Sequence, residues 1–375
     1  MHRRNFFKSS AITGISVAVA APLLTSFTEG KRAAVYEPLK PRIPAPRGAV
    51  YVPARAFNTW QQWKDYDHKV TERDFGYAAS LNLNCLRIWL CYEYWQANPR
   101  RHEACLEQML RAADKKGLKI LLALFDSCGV ENTPEAREDR NPRTAVAVKS
   151  PGSDVCMDVH QWGKPAQFVQ RIMELHGSDD RLLAIEVFNE PTFEHKRIAI
   201  ARFLFKTAKE KQGNIPLTIG SLKGMQNWGN FMDLGIDILQ YHDNYPTDLD
   251  GFKKELHMAK QVAETLNRPL WLTEWERLRP AGSGWNEAKI PIDQLGPDYA
   301  SLAGAVHASG IGNCFWSLML KPAYLRPQRN IGGFNGLFHE DGAVYSLADA
   351  RAISGNPHFQ APERRELPQW LHVSH

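Results

Sequence analysis

Cysteine is scarce in this chain, with six among 375 residues, and no two cysteines are spaced as CxxC. Zinc sites and disulfide-rich scaffolds depend on such spacing, so the sequence favours neither. No G-x-G-x-x-G or G-x-x-x-x-G-K motif is present either. Because those glycines let the backbone approach a phosphate, their absence argues against a nucleotide-binding sheet.

Charge is nearly balanced, since 46 Lys and Arg stand against 41 Asp and Glu for a formal net charge of +5. Three of the basic residues, Arg3, Arg4 and Lys8, lie at the N-terminus, and no basic run occurs elsewhere. Nucleic-acid binding requires a concentrated positive surface, so we expect no nucleic acid partner.

Long hydrophobic runs are also missing, because the uncharged stretch at residues 11–24 is too short to span a bilayer comfortably. It follows paired arginines, Arg3 and Arg4, which is typical of a twin-arginine signal. We predict that residues 1–27 are a signal peptide, recognised by the twin-arginine export machinery and then removed; an uncleaved anchor is the alternative. The mature protein is then periplasmic or secreted by a bacterium, without stable membrane insertion.

From about residue 47 the chain alternates short apolar runs with amphipathic segments, a pattern typical of repeated βα units. Eight such units predict an α/β fold, a single-domain (β/α)8 TIM barrel, over residues 48–360. Residues 28–47 are expected to be a Pro-rich spacer and residues 361–375 a C-terminal tail. The predicted strands are residues 49–57, 84–90, 119–125, 182–188, 216–220, 236–241, 270–273 and 313–317. The predicted helices include residues 103–116, 165–176, 196–212, 249–266 and 297–309.

Two connections are unusually long, residues 126–164 and 277–297, and long barrel loops are most often functional or mobile. The first contains Cys128 and Cys156, and the sequence fits either a loop-closing disulfide or two free thiols. Cys85 and Cys314 fall within predicted strands and are expected to be small core residues.

Two glutamates stand where apolar runs stop: Glu190 in the peptide Phe-Asn-Glu-Pro and Glu274 in the peptide Leu-Thr-Glu-Trp. In a parallel barrel all the C-terminal strand ends open onto one face, so we expect the two side chains to meet there. Glycoside cleavage needs such a pair, because one carboxyl protonates the leaving oxygen while the other acts at the anomeric carbon. A solvated loop glutamate and a strand-end salt bridge are the respective alternatives.

Asn-Glu-Pro after a fourth strand and Thr-Glu-Trp ending a seventh resemble clan A glycoside hydrolases, most closely family 5, and the resemblance spans nearly the whole barrel. It implies that Glu190 is the acid/base and Glu274 the nucleophile, with retention of anomeric configuration. Retention needs carboxyl groups about 5–5.5 Å apart, whereas an inverting pair stands about 6.5–9.5 Å apart.

The resemblance implies roles for three further residues. Arg87, a charge within the apolar second strand, is expected near the nucleophile, in a bridge to Glu186, or in both positions at once. Asn189 matches an asparagine that hydrogen-bonds the sugar 2-hydroxyl. Trp316, at the end of the eighth strand, matches a tryptophan that forms the floor of a sugar subsite, with a core aromatic as the alternative.

Two other positions depart from the family pattern. His242 matches a family histidine, but the usual His-x-Tyr spacing is lengthened by one residue, so Tyr241 or Tyr245 could hold the nucleophile or merely pack. After the third strand this chain lacks a histidine that many members carry. Asp126 could replace its contact to substrate, or could form a loop or helix-cap hydrogen bond.

No cofactor and no metal are expected, since His160, His242 and Asp126 follow no ligand spacing. A carbohydrate substrate is the expected partner. Seven tryptophans fall in or beside predicted strand-end loops, which suits a carbohydrate cleft, although several are expected to pack: Trp60, Trp63, Trp95, Trp162, Trp228, Trp275 and Trp285.

These observations predict a monomeric retaining β-glycosidase that acts on a polysaccharide or oligosaccharide, most like an endo-β-mannanase or a β-glucanase/cellulase. A xylan-active enzyme, an exo-acting glycosidase and a transglycosylase are alternatives on the same barrel. A non-catalytic carbohydrate-binding protein is the alternative of another class, and such a protein has no need of two carboxylates at this spacing.

Overall fold

Eight short, buried strands form one parallel sheet in the computed structural model of the chain, which describes residues 43–222, 225, 227–278 and 296–371. The strands are β1 (Arg47–Val50), β2 (Cys85–Trp89), β3 (Lys119–Ala123), β4 (Leu182–Glu186), β5 (Leu217–Thr218), β6 (Leu239–Asn244), β7 (Leu270–Glu276) and β8 (Gly312–Phe315). A separate antiparallel pair, β9 (Lys321–Pro322) and β10 (Phe334–Asn335), follows them.

The strand order β5-β4-β3-β2-β1-β8-β7-β6 leaves β5 and β6 as the two end strands of the curled sheet. Hydrogen bonds join those ends, among them one from Leu217 N to the Asp237 carboxylate at 3.0 Å. Asp237 N donates to Leu217 O at 3.0 Å, and the Thr218 hydroxyl donates to Ile238 O at 2.8 Å. A parallel sheet that curls in this way, with helices around it, is a (β/α)8 barrel.

The helices of the described residues surround this sheet and extend its loops. They are α1 (Thr59–Lys64), α2 (His68–Ser80), α3 (Tyr92–Ala97), α4 (Pro99–Asp114), α5 (Pro134–Glu138), α6 (Ser153–Met157), α7 (Gly163–His176), α8 (Arg197–Glu210), α9 (Leu249–Thr265), α10 (Ala300–Ser309), α11 (Arg326–Asn330) and α12 (Leu347–Ser354). Single 3-10 turns occupy Val159–Gln161, Glu194–Lys196, Trp228–Asn230, Met232–Leu234 and Gln369–Leu371.

Helix starts coincide with residues that satisfy free backbone amides or that need none. The Asp67 carboxylate accepts from Lys69 N at 2.7 Å at the start of α2, and Asp248 caps α9 through Gly251 N at 2.5 Å. Pro99 opens α4, where its missing N–H would have had no helical partner. These local signals fix where α2, α4 and α9 begin.

The pairing of β6 with β7 shifts in register near the C-terminal ends of the two strands. Tyr241 pairs with Leu272, but the next residue, His242, pairs with Glu274. An irregularity of this kind re-aims side chains and is common next to active sites. Here it sets His242 directly beside Glu274.

The predicted (β/α)8 fold is confirmed, with differences at the strand ends. β1 ends at Val50 instead of residue 57, whereas β6 continues to Asn244 and β7 to Glu276. His242 and Glu274 therefore lie inside their strands, because backbone pairing continues past the last apolar residue. The residue 126–164 connection is not an open loop, since it contains α5 and α6.

All six cysteines lie in the described residues as free thiols, so the disulfide alternative for Cys128 and Cys156 is not realised. Cys85 and Cys314 are buried in strands, as predicted. The predicted signal, most of the spacer, the greater part of the 277–297 loop with Trp285, and residues 372–375 lie outside the described residues. Within the described residues, no helix combines the length and apolarity needed to cross a membrane.

Candidate active site

A cavity of about 400 Å³ opens where the barrel strands end. Its lining residues terminate or follow strands β3 to β9, and the ends of the barrel strands among these form the C-terminal face that carries the active sites of this architecture. The lining comprises Ser127, Cys128, Gly129, Asn189, Glu190, Thr192, Leu222, His242, Asn244, Glu274, Glu276, Trp316, Tyr324, Leu325 and Gln328.

Glu190 is held in an unusual backbone conformation just after β4. Its φ is +45°, in the left-handed region that residues with a Cβ rarely adopt and that is often found at functional sites. Neighbouring contacts maintain it, since Asn189 N donates to Phe125 O at 2.9 Å and Asn227 Nδ2 donates to Pro191 O at 2.9 Å. The turn therefore projects the carboxyl into the cavity instead of back along the strand.

Both carboxylate oxygens of Glu190 have partners. Oε1 hydrogen-bonds to His242 Nδ1, and Oε2 lies 2.9 Å from Cys128 Sγ. His242 Nε2 lies 3.0 Å from the Thr273 hydroxyl, which fixes the ring plane. His242 thus holds one oxygen of Glu190, and Cys128 lies against the other.

Glu274 has two different donors. Arg87 Nη1 donates to Oε1 at 2.5 Å, and Asn244 Nδ2 donates to Oε2 at 2.9 Å. His242 Nδ1 also lies 3.6 Å from Glu274 Oε1. A guanidinium and an amide thus hold the two oxygens of Glu274 and orient the carboxyl at the cavity.

One oxygen of Glu190, one oxygen of Glu274 and a nitrogen of His242 all lie within 4.8 Å of one another. The nearest oxygens of the two glutamates are therefore closer than the roughly 6.5–9.5 Å at which the carboxyl groups of inverting pairs stand. The sequence expectation that the two glutamates meet is therefore met in the structure.

Arg87 is fully buried and makes both of the contacts predicted for it, one with Glu274 and one with Glu186. Its Nε and Nη2 donate to the two oxygens of Glu186 at 2.7 Å each, and Nη2 also donates to Asn189 Oδ1 at 2.7 Å. A buried guanidinium needs such partners, and this one also contacts Glu274. Gly220 makes room for the cluster, because a Cβ there would lie 2.5 Å from Glu186 Oε1.

The protonation of Glu190 and His242 is linked. Burial raises the pKa of Glu190, but attraction to His242 and the hydrogen bonds from His242 and Cys128 outweigh it and leave that pKa below its ordinary value. Burial lowers the pKa of His242, yet Glu274 and Glu190 together raise it above the ordinary value. The pKa values therefore describe the Glu190–His242 pair as a unit and not either residue alone.

Asp126 takes the loop role that the sequence left as its alternative. Its Oδ1 accepts from Cys128 N and from Asn189 Nδ2, both at 2.9 Å, and Tyr324 donates to Oδ2 at 3.3 Å. The side chain is 1% exposed, and burial raises its pKa to about 6 in spite of these donors. Asp126 thus holds Asn189 and the loop in place from behind the cavity lining.

Both candidate tyrosines, Tyr241 and Tyr245, contact residues other than Glu274. The Tyr245 hydroxyl accepts from Asn335 Nδ2 at 3.1 Å and contacts Glu276, while Tyr241 is buried against Trp228. The donor to Glu274 from this strand is Asn244. Asn244 stands two residues after His242, at the position where the family spacing expects tyrosine, and that spacing was the signal for it.

Glu276 is a second residue that the sequence analysis missed. It lies two positions after Glu274 on β7, lines the cavity and accepts from Asn335 Nδ2. Burial, followed by repulsion from Glu274, raises its pKa well above the ordinary value despite donors from Tyr245 and Asn335. Alternation along the strand was its only sequence signal.

Trp316 lines the cavity as expected, with Tyr324 edge-on at 5.0 Å and Trp89 at 5.8 Å between ring centroids. The other predicted cleft tryptophans that the structure describes are absent from this lining. Three of them are buried packing residues: Trp63, Trp228 and Trp275. His160 is exposed on a 3-10 turn, away from the His242 cluster.

No protein-family model and no curated protein sequence matches this chain. Solved structures do match its fold. An exo-beta-1,4-mannosidase from Opitutaceae bacterium strain TAV5 gives a TM-score of 0.59 at 16% identity, over 83% of this chain and 58% of that one. This chain therefore spans less than two thirds of that protein.

Two further structures cover more of their own length. GH5_18 from Streptomyces cattleya, solved with Manb1-4GlcNAc, gives a TM-score of 0.60 at 15% identity, over 85% of this chain and 82% of that one. The endo-beta-1,4-mannanase from Thermotoga petrophila gives 0.56 at 11% identity, over 84% and 76%. The chain thus has the (β/α)8 fold found in family 5 glycoside hydrolases of clan A.

Proposed function

We propose that this protein is a retaining β-glycoside hydrolase, with Glu190 as acid/base and Glu274 as nucleophile. The observation that carries the proposal is the pair of cavity-lining carboxyls within 4.8 Å of each other, each with a different set of partners. Arg87 and Asn244 donate to the two oxygens of Glu274, whereas Glu190 is hydrogen-bonded to His242 and lies against Cys128. Double displacement requires two carboxyls with different roles, and these different partners support that division.

In the first step a Glu274 oxygen attacks the anomeric carbon and forms a glycosyl ester. The bond from that carbon to the leaving oxygen breaks, and the leaving oxygen takes the proton held by the Glu190–His242 pair. In the second step Glu190 accepts a proton from water, and the resulting hydroxide oxygen displaces Glu274 from the sugar. Two inversions leave the anomeric configuration unchanged.

Arg87 and Asn189 position the substrate for this chemistry. Arg87 orients Asn189 by donating to its Oδ1, and Asp126 fixes the opposite end of that amide. Asn189 Nδ2 is thereby held at the cavity wall beside Glu190, where it suits a sugar hydroxyl next to the anomeric centre. Trp316 supplies the aromatic face on which a pyranose ring packs.

For the substrate we propose a β-linked mannose- or glucose-containing glycan, with β-mannosides first. The similar structures named above include a mannosidase and a mannanase, and that likeness in fold is the support for the order. A cavity of about 400 Å³ falls within the range of about 300–1,000 Å³ for small-molecule sites.

Reducing-sugar release from mannan, glucan, xylan and galactan panels tests the proposal. Wild-type protein should release sugar from at least one β-glycan, and Glu190→Ala and Glu274→Ala should each lower release about 10³-fold or more. Glu194→Ala, an exposed glutamate on the same loop, is the matched control and should retain full activity. Binding of oligosaccharide without release by the wild type would instead support the carbohydrate-binding alternative.

Stereochemistry tests the mechanism separately. The first product seen by NMR should have the β-configuration, and azide should rescue Glu274→Ala by forming the α-glycosyl azide, since azide then replaces the missing nucleophile. An α-configured first product from the wild type would contradict retention.

We also propose export, supported by Arg3 and Arg4 before the uncharged stretch at residues 11–24. Fractionation of bacterial cells that express the full chain should place it outside the cytoplasm. Replacing Arg3 and Arg4 together by lysine should leave it in the cytoplasm at its uncleaved mass, because the twin-arginine pathway reads that pair.

A further inference from the structure

Cys128 is presented to the cavity by a tightly held turn after β3. Ser127 N donates to Asn189 O at 3.1 Å, and Cys128 N donates to the Asp126 carboxylate at 2.9 Å. Gly129 follows at φ +108°, and a Cβ at that residue would lie 2.3 Å from Ala147 O. The thiol therefore has a fixed position, in contrast to a thiol on a loose loop.

That position places the thiol against the proposed acid/base. Cys128 Sγ lies 2.9 Å from Glu190 Oε2, the oxygen that His242 does not contact, and 3.9 Å from Asn189 Nδ2. The other five cysteines are buried, whereas Cys128 is partly exposed and lines the cavity. Among the described residues, the hydrogen-bond donor at Glu190 Oε2 is thus Cys128, a side chain that the proposed mechanism does not use.

We propose that Cys128 is a positioning residue whose S–H donates to Glu190 Oε2, so that His242 and Cys128 together set the direction and the proton affinity of the acid/base. The positioning role of Cys128 rests on the proposed function, whereas the contact between Cys128 and Glu190 does not. A thiol is a weak donor, so it orients the carboxyl without holding the proton as firmly as a charged group does.

The surrounding charges keep this thiol protonated. Burial raises the pKa of Cys128 well above its ordinary value, and the nearby charges of Glu190 and Asp126 raise it further. The thiol therefore remains a neutral donor over the pH range in which a glycosidase works. It is also protected from reaction, since the thiolate is the reactive form.

The contact can be tested without any substrate. Alkylation of the native protein by iodoacetamide at pH 8.5 reports the thiolate fraction of Cys128, with Cys128→Ser giving the background from the five buried thiols. Glu190→Gln removes the neighbouring negative charge and should accelerate alkylation about tenfold, because loss of one adjacent charge lowers a pKa by about one unit. Glu194→Gln should leave the rate unchanged. An equal rate in wild type and Glu190→Gln would overturn the contact.

The positioning role is tested by the pH dependence of kcat/KM on the substrate found in the panel. Cys128→Ala should lower kcat/KM about three- to tenfold and move the profile upward by about half a unit, because loss of a donor raises the pKa values of the Glu190–His242 pair. Cys128→Ser, which keeps a donor, should return the profile to within a few tenths of the wild type. Cys156→Ala, a buried cysteine on the same connection, is the control for a general effect of cysteine removal.

The alkylation experiment tests the contact, and the pH profile tests the positioning role. An alanine variant with an unshifted profile would overturn the positioning role even if alkylation shows the contact. If wild type hydrolyses nothing while Glu190→Gln still accelerates alkylation, the proposed function fails and the Cys128–Glu190 contact stands. Equal unfolding midpoints of the Ala and Ser variants would show that a profile difference between them does not arise from folding.

Discussion

Arg87 Nη1 lies 2.5 Å from Glu274 Oε1 while Nε and Nη2 of the same guanidinium contact Glu186. One buried guanidinium is therefore hydrogen-bonded both to Glu186, in the barrel core, and to Glu274, in the cavity lining. Because these ion pairs are buried in the barrel, a substitution in them is expected to alter both the charges of the site and the packing of the barrel.

Replacing Arg87 by methionine should both destabilise the protein and abolish turnover. Removal of one partner of a buried ion pair costs about 3–5 kcal/mol, because the remaining carboxylates are left unpaired. Urea unfolding measures the loss. The double variant Arg87→Met with Glu186→Gln should recover part of the stability but none of the activity, and recovered activity would show that the Glu274 contact is unimportant.

Asn244→Ala should lower kcat by about 10- to 100-fold with little change in stability. A hydrogen bond to a charged group contributes about 1.5–3 kcal/mol, and Asn244 is only partly buried. Steady-state kinetics together with thermal unfolding separate the two effects. Tyr245→Phe provides the comparison, since its hydroxyl contacts Asn335 and Glu276, and a larger kinetic effect there would contradict the assignment to Asn244.

Asp126→Asn should change how stability depends on pH. The folded pKa of Asp126, about 6, lies above the usual value near 3.8, so the folded state binds the proton more tightly than the unfolded state. Wild-type stability contributed by this group is thus present below about pH 4 and is lost as pH rises to about 6. The variant should gain on the order of 3 kcal/mol relative to wild type between pH 4 and 7, as measured by urea unfolding. A constant difference across that range would contradict the shift.

Trp316→Ala should weaken binding of substrate, whereas Trp316→Phe should recover part of it. The indole lines the cavity and offers an apolar face to a sugar ring, and burial of apolar surface is worth about 25 cal/mol per Å². Calorimetric titration of oligosaccharide into the Glu274→Ala background measures affinity without turnover. Trp95→Phe is the matched control, because Trp95 lies outside the cavity lining, and an equal loss there would point to a general packing effect.

Sequence reasoning located the two central residues because their signals are local. A glutamate after an apolar run marks a strand end, and a parallel barrel gathers such ends on one face. The fold and the proximity of Glu190 and Glu274 are confirmed. The signal peptide, the domain boundaries, the monomeric state and the site roles stay predictions.

The partners of those residues were harder to predict, because each contact joins segments far apart in the chain. Cys128 meets Glu190 across 62 positions, and Arg87 meets Glu274 across 187. The register shift that sets His242 beside Glu274 has no pattern in the sequence that precedes it. Asn244 was overlooked because a tyrosine was sought one residue further on.

The amino-acid sequence by itself determined the alternation of strands and helices, the barrel that follows from it, and the two glutamates at its rim, because periodicity and turn residues act over short distances. Only the tertiary structure decided which donors reach each carboxyl oxygen, which tyrosines pack and which carboxyls have raised pKa values. Those outcomes depend on burial and on distances of a few ångströms between distant segments, and such quantities exist only once the barrel has closed.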